Sequence, residues 1–243
     1  MVFNTIKITD AVSTNTQLKK MALEGADVGT ALVAQRQSGG RGRLGRSFSS
    51  GEGGLYASII LPYCQGDDAG LLTTYAAVAV AHAIERVAPV KVGIKWVNDL
   101  YVNGKKVCGI LAEAVAREGG MCAILGIGVN LTNKLPPELS DIATTLFDAC
   151  GTEVAPDKLF DVILDELSGF EKVDRGEKLD EYRHRCVILD KNIDVIPHNG
   201  EKYTAKAIDV LPDGALLVKR AEDGEMIRVF SGEVSARLSE GET

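Results

Sequence analysis

The dipeptide Asn103-Gly104 is the sequence feature that most restricts how this chain can fold. It separates two extended apolar stretches, and Asn-Gly in that setting is a strong signal for a tight β-hairpin, because both residues tolerate the positive φ that the turn needs. The hairpin brings Asp99 and Lys106, which lie on either side of the turn, into the same neighbourhood. The segment therefore predicts antiparallel sheet with two oppositely charged side chains close together.

Hydrophobic periodicity predicts further strands and helices around this hairpin. Buried or alternating apolar runs predict strands at residues 30–34, 53–61, 90–96 and 121–130, the last reached through a second hairpin at Glu118-Gly119-Gly120. Apolar positions at helical spacing predict helices at residues 17–24, 69–87, 156–167 and 179–186. Gly126 and Gly128 alternate on one face of the last strand. Because glycine weakens a strand, two on one face indicate that another group approaches the backbone there.

The character of the sequence changes after residue 187. Short β-like runs follow, separated by turns at Asn199-Gly200, Asp213-Gly214 and Asp223-Gly224. This pattern predicts a small β-barrel-like module. We accordingly divide the chain into a larger domain at residues 1–187 and a smaller β domain at residues 188–243.

Residues 39–46 form a loop with four glycines and three arginines in eight positions. Glycine lets backbone N–H groups approach a ligand closely, and arginine supplies permanently charged forks that match phosphate and carboxylate oxygens. The loop therefore indicates an anion clamp, loose when empty and closing on its ligand. The alternatives are a solvated flexible loop or a contact to nucleic acid phosphates. It is neither a Walker loop nor a dinucleotide fingerprint, since no Gly-Lys-Ser/Thr and no apolar helix follow it.

Composition narrows the class of protein. The 243 residues carry a formal net charge of −7, so free nucleic acid is a poor candidate for the main partner of an acidic body. Five scattered cysteines without a C-x-x-C pair predict reduced thiols in a cytoplasmic protein. Three histidines far apart in sequence indicate no metal cluster. We find no signal peptide, and the longest apolar run is too short to span a bilayer, so no membrane association is predicted.

Several residues allow both a structural and a functional interpretation. Ser13 or Thr14 could cap a helix, or could face a polar ligand together with Asn15 at the positive end of that helix. Asp99 could be a turn former, Lys106 could lie on a solvated hairpin and Trp96 could belong to the core. Taken singly, each residue fits the structural interpretation. Their occurrence together with the basic loop favours the functional one.

Segments of this chain, in this order, resemble those of the biotin protein ligase family. The segments are Ser13-Thr14-Asn15, Gly40-Arg41-Gly42-Arg43-x-Gly45-Arg46, Lys95-Trp96-x-Asn98-Asp99, Lys106-x-x-Gly109-Ile110-Leu111 and Gly126-x-Gly128-x-Asn130, with Phe230-Ser231-Gly232-Glu233-Val234-Ser235 near the C-terminus. The resemblance implies an α+β fold: a mixed β-sheet packed with helices, as in the class II synthetase-like biotin/lipoate ligase core, plus a small C-terminal SH3-like β-barrel.

Two differences from the family pattern accompany the resemblance. Val97 stands where such families usually carry proline, which would pre-set the backbone of the turn. No helix-turn-helix precedes Ser13, which already belongs to the core. We therefore expect the monofunctional type, which does not bind operator DNA, and a homodimer is a possibility that the sequence leaves open.

The activity that the resemblance implies is a two-step activation of biotin. The biotin carboxylate attacks the α-phosphate of ATP, giving biotinyl-5′-AMP and pyrophosphate. A lysine of a biotin carboxyl carrier domain then attacks the mixed anhydride and AMP leaves. Mg²⁺ is expected to neutralise the triphosphate, although no carboxylate cluster in the sequence names its ligands.

The resemblance also implies roles for individual residues. Lys106 and Arg43 would act on the first step, and Asp99 on the acceptor lysine. The residues expected to bind biotin are Ser13, Thr14, Asn15, Gln37, Arg41, Gly42, Arg43, Lys106 and Gly109. Those expected to bind the nucleotide are Arg41, Arg43, Arg46, Phe48, Trp96, Asn98, Lys106, Gly126, Gly128 and Asn130.

Two other functions remain open at this point. One is a ligase for lipoate or octanoate, which would need a long apolar tunnel and has no use for a polar set that recognises a ureido ring. The other is a non-catalytic, biotin-binding regulatory relative on the same fold.

Overall fold

The computed structural model of the chain describes residues 1–63, 71–170, 173–197, 201–230 and 233–236. The strands are β1 (Asn4–Ala11), β2 (Thr30–Gln37), β3 (Leu55–Pro62), β4 (Gly93–Lys95), β5 (Asp99–Val102), β6 (Lys105–Arg117), β7 (Gly120–Val129), β8 (Asn192–Ile196), β9 (Tyr203–Val210), β10 (Leu216–Arg220), β11 (Met226–Val229) and β12 (Glu233–Ala236). The α-helices are α1 (Thr14–Leu23), α2 (Leu72–Val87), α3 (Leu146–Cys150), α4 (Pro156–Phe170) and α5 (Arg175–Arg185).

The larger sheet has seven strands in the order β1-β2-β3-β7-β6-β5-β4. Strands β1 and β2 are parallel and joined through α1, whereas the other neighbours are antiparallel. This arrangement confirms the predicted mixed sheet packed with helices. It also places the two predicted hairpins, β5–β6 and β6–β7, side by side.

Helices cover the two faces of this sheet unequally. Helices α2, α4 and α5 pack together on one face, over the larger apolar core. Helix α1 packs on the other face, against a smaller cluster that includes Leu18, Leu32, Ile60 and Ile124. Because α1 is only ten residues long, it leaves the adjoining part of that face open, and the candidate site lies there.

The predicted turn at Asn103-Gly104 joins β5 to β6. Both residues have positive φ, 50° and 76°, as a type I′ hairpin turn requires. The ladder pairs Tyr101 with Lys106 and Asp99 with Gly109. The hairpin therefore extends from the turn directly into the segment that carries the two predicted charges.

The C-terminal strands form a separate five-stranded antiparallel sheet in the order β11-β10-β9-β8-β12. Within residues 201–230 and 233–236, no ladder joins the outer strands β11 and β12, so the sheet is not closed and the predicted barrel is not confirmed. The turns at Asp213-Gly214 and Asp223-Gly224 occur where they were predicted, whereas the turn predicted at Asn199-Gly200 lies outside the described residues. Ser231 and Gly232 of the C-terminal family segment lie outside them as well.

Other predictions differ in extent from the structure. The strand predicted at residues 90–96 is only β4 (Gly93–Lys95), and the helix predicted from residue 69 begins at Leu72, after residues outside the described ranges. Cys108, Cys122, Cys150 and Cys186 are free thiols, whereas Cys64 and His198 are not among the described residues. No helix in the described ranges has the length and apolar character needed to cross a membrane.

Candidate active site

A cavity of about 390 Å³ lies on the open part of the larger sheet, beside the N-terminus of α1. All the predicted site residues except Asn130 line it. They are Ser13, Thr14, Asn15, Gln37, Arg41, Gly42, Arg43, Arg46, Phe48, Trp96, Asn98, Asp99, Lys106, Gly109, Gly126 and Gly128. Segments more than 100 residues apart in sequence thus meet in one place.

Strand register explains how the floor of the cavity is built. Directly opposite residues of neighbouring strands face the same side of a sheet. Gly109 of β6 pairs with Gly128 of β7, and Gly126 pairs with Ser58 of β3. Small residues at these positions leave room above the strands for side chains from α1 and from the basic loop.

Glycine is required at two of these positions by close neighbours. A Cβ atom on Gly126 would lie 2.1 Å from Asn15 Oδ1, and one on Gly128 would lie 2.6 Å from an atom of the Phe48 ring. The sequence predicted that some group approaches this backbone. In the structure, the groups are the side chains of Asn15 and Phe48.

A cluster of neutral hydrogen-bonding groups forms one end of the cavity. The backbone N–H of Thr14 donates to Gln37 Oε1 over 2.7 Å, and Gln37 Nε2 donates to Ser50 Oγ over 2.9 Å. Ser13 caps α1, since its hydroxyl accepts from the N–H of Thr16. The capping interpretation of Ser13 is therefore correct, and the residue also lines the cavity.

Asn15 is buried and its amide has a defined orientation. Its Oδ1 accepts from Ser58 Oγ over 2.6 Å, and its Nδ2 donates to Glu113 Oε2 over 3.0 Å and to the carbonyl of Leu111 over 3.4 Å. These partners differ in donor and acceptor character, so a flipped amide would lose them. Asn15 is thus held rigidly at the boundary between the sheet and the cavity.

The basic loop also lines the cavity. A backbone N–H···O bond from Gly42 to Arg46 spans 2.7 Å, and a 3₁₀ turn at Arg43–Gly45 lies between them. Arg43 Nη1 donates to Asn98 Oδ1 over 3.3 Å, and Asn98 Nδ2 donates to the carbonyl of Ile110 over 2.7 Å. The loop is thereby connected to β6 through Asn98.

Lys106 and Asp99 form the ion pair that the hairpin predicted. Lys106 Nζ lies 2.7 Å from Asp99 Oδ1, and each side chain is about a quarter exposed. The same ammonium lies 5.8 Å from the centroid of the Phe48 ring, within range of a cation–π contact. Both residues line the cavity on the side of the β5–β6 hairpin. If the ion pair breaks, Lys106 can instead contact an anionic ligand.

Two groups that interact with the charges of this pair, the Tyr101 hydroxyl and the Cys108 thiol, have raised pKa values. Burial, and secondarily the charge of Asp99, raise the pKa of Tyr101 to about 12. Burial also raises the pKa of the Cys108 thiol. A thiol with a raised pKa supplies little thiolate, so Cys108 is not a candidate nucleophile.

The turn between β4 and β5 is held from two directions. Trp96 Nε1 donates to the carbonyl of Gly214 in the C-terminal sheet over 3.0 Å. Tyr182 of α5 donates its hydroxyl proton to the carbonyl of Val97 over 3.2 Å, and burial raises the pKa of Tyr182 well above its ordinary value. The peptide bond between Trp96 and Val97 is cis. Trp96 belongs both to the core and to the cavity wall.

Asn130 is buried away from the cavity lining. Its Nδ2 donates to the carbonyl of Thr144 over 3.3 Å, and its Oδ1 accepts from Asn133 over 3.4 Å. These bonds join the end of β7 to the segment before α3. Its assignment to the nucleotide site stays a prediction.

Sequence reasoning missed several residues at this site. Ser58 and Glu113 contact Asn15, and the remaining lining residues are Ser47, Ala57, Lys95, Ile110, Leu111, Ile127, Ile196 and Val234. The alternation of side chains along β6 could have placed Glu113 on the same face as Gly109. No sequence signal connected Ile196 or Val234 with a cavity almost 200 residues upstream.

The described residues contain no group of three or more His, Cys, Asp or Glu side chains arranged to hold a metal ion. Asp99 is the carboxylate among the lining residues.

We expect Gly126→Ala to weaken ligand binding at this cavity, because the new Cβ would displace Asn15 from its bonds to Ser58 and Glu113. Overpacking of this kind typically costs about 1–3 kcal/mol of stability. Thermal melting and a ligand titration measure the two effects. Gly169→Ala is the matched control, because an added Cβ meets no atom within 4 Å there. Equal ligand affinity for Gly126→Ala and wild type would contradict the expectation.

Comparison with known proteins shows the family. Residues 7–130, about half of the chain, match the biotin/lipoate A/B protein ligase family. The chain therefore belongs to this family, as its sequence segments predicted.

Individual relatives extend the match over most of the chain. The biotin–[acetyl-CoA-carboxylase] ligase of Mycobacterium tuberculosis is 30% identical over 235 residues, which is 91% of this chain and 85% of that protein. The bifunctional ligase/repressor BirA of Bacillus subtilis is 43% identical over 148 residues, or 58% of this chain, and the match covers 46% of the length of that relative.

A solved structure matches along nearly its whole length. The biotin protein ligase of Aquifex aeolicus in complex with biotin and ATP superposes with a TM-score of 0.79 and 31% sequence identity. The superposition covers 96% of this chain and 98% of that chain. The similarity therefore includes the C-terminal sheet as well as the larger one.

Proposed function

We propose that the chain is an ATP-dependent ligase that activates biotin as biotinyl-5′-AMP and transfers the biotinyl group to a lysine of a biotin carboxyl carrier domain. The observation that carries the proposal is the composition of one cavity. Neutral donors and acceptors around Asn15 and Gln37 stand at one end, and a glycine–arginine loop and Lys106 line the same cavity. Such a cavity suits a molecule that carries both a ureido ring and an anionic group.

The polar end would bind the ureido ring, which offers two N–H donors and one carbonyl acceptor. We assign Ser13, Thr14, Asn15 and Gln37 to this task, because their hydroxyl and amide groups can match both kinds of partner. Burial of Thr14 and Asn15 makes each such bond selective, since an unsatisfied group there would be costly.

The basic side would support the first step, in which a carboxylate oxygen bonds to the α-phosphorus and pyrophosphate leaves. Two anions must meet, so positive charge has to offset their repulsion. Lys106 would exchange Asp99 for the biotin carboxylate, and Arg43 would approach the phosphate. The backbone N–H group of Arg41 would add an uncharged donor, Gly42 would let the loop backbone approach the ligand, and Gly109 would give the ligand room beside Lys106.

The nucleotide would occupy the side of the cavity formed by the loop and the β4–β5 turn. We assign to it the residues Arg46, Phe48, Trp96, Asn98, Gly126, Gly128 and Asn130. Phe48 offers an aromatic face over Gly128, and Arg46 offers a further positive charge on the loop. Mg²⁺ would enter with the triphosphate, and Asp99 is the carboxylate of the chain that could face it.

The second step would transfer the biotinyl group to the carrier. The acceptor lysine must lose a proton to attack the acyl carbon, after which the bond to AMP breaks. Asp99 would accept that proton or orient the amine, since its carboxylate lies 2.7 Å from Lys106 and therefore close to the reacting carbonyl in this arrangement.

Further parts of the proposal concern the whole protein. The C-terminal sheet would be an SH3-like module, residues 1–187 and 188–243 would be separate domains, and the chain could form a homodimer. A cytoplasmic location agrees with the free thiols of Cys108, Cys122, Cys150 and Cys186.

Incubation with ATP and labelled biotin, followed by mass detection of biotinyl-5′-AMP, tests the proposal. Parallel reactions with lipoate and octanoate separate it from the related acyl ligases. Addition of a carrier domain then tests the transfer. Binding of biotin without any adenylate would indicate a regulatory relative, and an adenylate formed from lipoate alone would contradict the proposal.

We expect Arg43→Ala to fold normally but to release the adenylate prematurely. Arg43 is partly exposed in a surface loop, where substitutions usually change stability little, whereas its charge should retain the phosphate of the intermediate. Biotinylation of a bystander protein and the dissociation rate of preformed biotinyl-AMP are the measurements. Adenylate retention equal to that of wild type, or a much lower melting temperature, would show that the role is wrong.

A further inference from the structure

Glu113 is a carboxylate beside a cavity whose other charged groups are mainly positive. It lies on β6, and strand alternation places it on the same face as Gly109 and Leu111, which line the cavity. Its side chain is 20% exposed. A negative charge at this location would repel an anionic ligand unless a partner neutralised it, so its presence requires an explanation.

The two oxygens of Glu113 have different partners. Oε1 lies 3.3 Å from Nη1 of Arg41 in the basic loop, and Oε2 accepts from Asn15 Nδ2 over 3.0 Å. One carboxylate thus joins the loop to the polar end of the cavity. The ion pair also neutralises Glu113, which removes the repulsion that it would otherwise exert.

We propose that Glu113 is a positioning residue that anchors the basic loop through Arg41 and fixes the amide of Asn15. The side chain of Arg41 contacts Glu113, so the backbone N–H of Arg41 is the group that this residue offers to a ligand. Arg41 then acts through its backbone, and Arg43 supplies charge. This inference rests on the proposed function for the identity of the ligand, but the anchoring itself concerns the chain alone.

The Glu113→Gln variant removes the ion pair of Glu113 with Arg41 but keeps its hydrogen bond with Asn15. The amide oxygen of glutamine can still accept from Asn15, whereas the ion pair with Arg41 is lost. We expect hydrogen–deuterium exchange at residues 40–46 to become about threefold faster without ligand, because the Arg41 side chain is about half exposed and an ion pair of this kind contributes modestly to stability. We also expect the dissociation constant for biotin to rise about threefold, with the adenylation rate at saturating biotin changed less than about twofold.

Two variants serve as comparisons. Glu118→Gln removes the same charge from the exposed turn after β6 and should leave both quantities unchanged. Arg41→Gln should accelerate exchange as much as Glu113→Gln, and the double variant should add nothing further, as expected for two partners of one interaction.

The exchange experiment tests the anchoring of the loop, and the adenylate assay tests the proposed function, so either can fail without the other. Unchanged exchange at residues 40–46 in Glu113→Gln overturns the anchoring, and so does an equal acceleration throughout β7, which would reflect general destabilisation. A chain that anchors the loop through Glu113 but makes no biotinyl-5′-AMP supports the anchoring and contradicts the proposed function.

Discussion

Lys106→Ala should abolish most adenylate formation, with a loss of about a hundredfold or more in single-turnover rate. The ammonium is the positive group that a biotin carboxylate would meet at the β5–β6 hairpin, and loss of one well-placed electrostatic contact in a closed site typically costs about 2.7–4 kcal/mol. Quenched single-turnover reactions with biotin and ATP measure this step alone.

A neighbouring lysine provides the control for that variant. Lys105 donates to the carbonyl of Ser140 on the other side of the strand, so Lys105→Ala removes an equal charge outside the cavity. It should leave adenylate formation within about twofold of wild type. Adenylate formation by Lys106→Ala at the wild-type rate, with an unchanged melting temperature, would remove Lys106 from the proposed chemistry.

Asp99→Ala should show the opposite behaviour: adenylate forms, but transfer to the carrier slows by about a hundredfold or more, as expected when a general base is lost. Asp99→Asn should behave similarly, because it keeps the shape and removes the charge. The measurement supplies preformed biotinyl-AMP and follows biotinylation of a carrier domain.

Because Asp99 and Lys106 form an ion pair, the comparison of Asp99→Ala with Lys106→Ala tests whether the two residues act on different steps. Removal of Asp99 frees Lys106, so the first step should be preserved or modestly changed. If Asp99→Ala prevents adenylate formation while the fold remains intact, Asp99 belongs to the nucleotide or metal site, and the proposed division between the two residues fails.

Local chemistry explains which parts of the fold could be predicted. The turn at Asn103-Gly104 needs positive φ at two successive residues, and few dipeptides meet that need, so the sequence specifies it. The same holds for the loop at residues 39–46, where a Cβ on Gly40 would lie 2.4 Å from the carbonyl oxygen of Phe48. Both features depend on residues close together in the chain.

Features that depend on distant partners were missed. Strand β1 lies at the edge of the sheet and is half exposed, so its apolar alternation is weak, and its pairing with β2 is apparent only once α1 is in place. The predicted barrel is not confirmed for a related reason, since closure requires the outer strands of a sheet to meet, and β11 and β12 do not pair in the described part of the chain. The contacts of Glu113 with Arg41 and Asn15 likewise join residues more than 70 positions apart.

The cavity draws its walls from almost the entire chain, from Ser13 to Val234. During synthesis, the basic loop and the β5–β6 hairpin leave the ribosome long before the strands that carry Ile196 and Val234. A small molecule can therefore contact every wall of the cavity only after the C-terminal sheet has formed. Its binding energy then stabilises the fully folded protein and not the partly synthesised chain. Supply of the small molecule should then extend the lifetime of complete chains in the cell, whereas nascent or truncated chains gain no such protection.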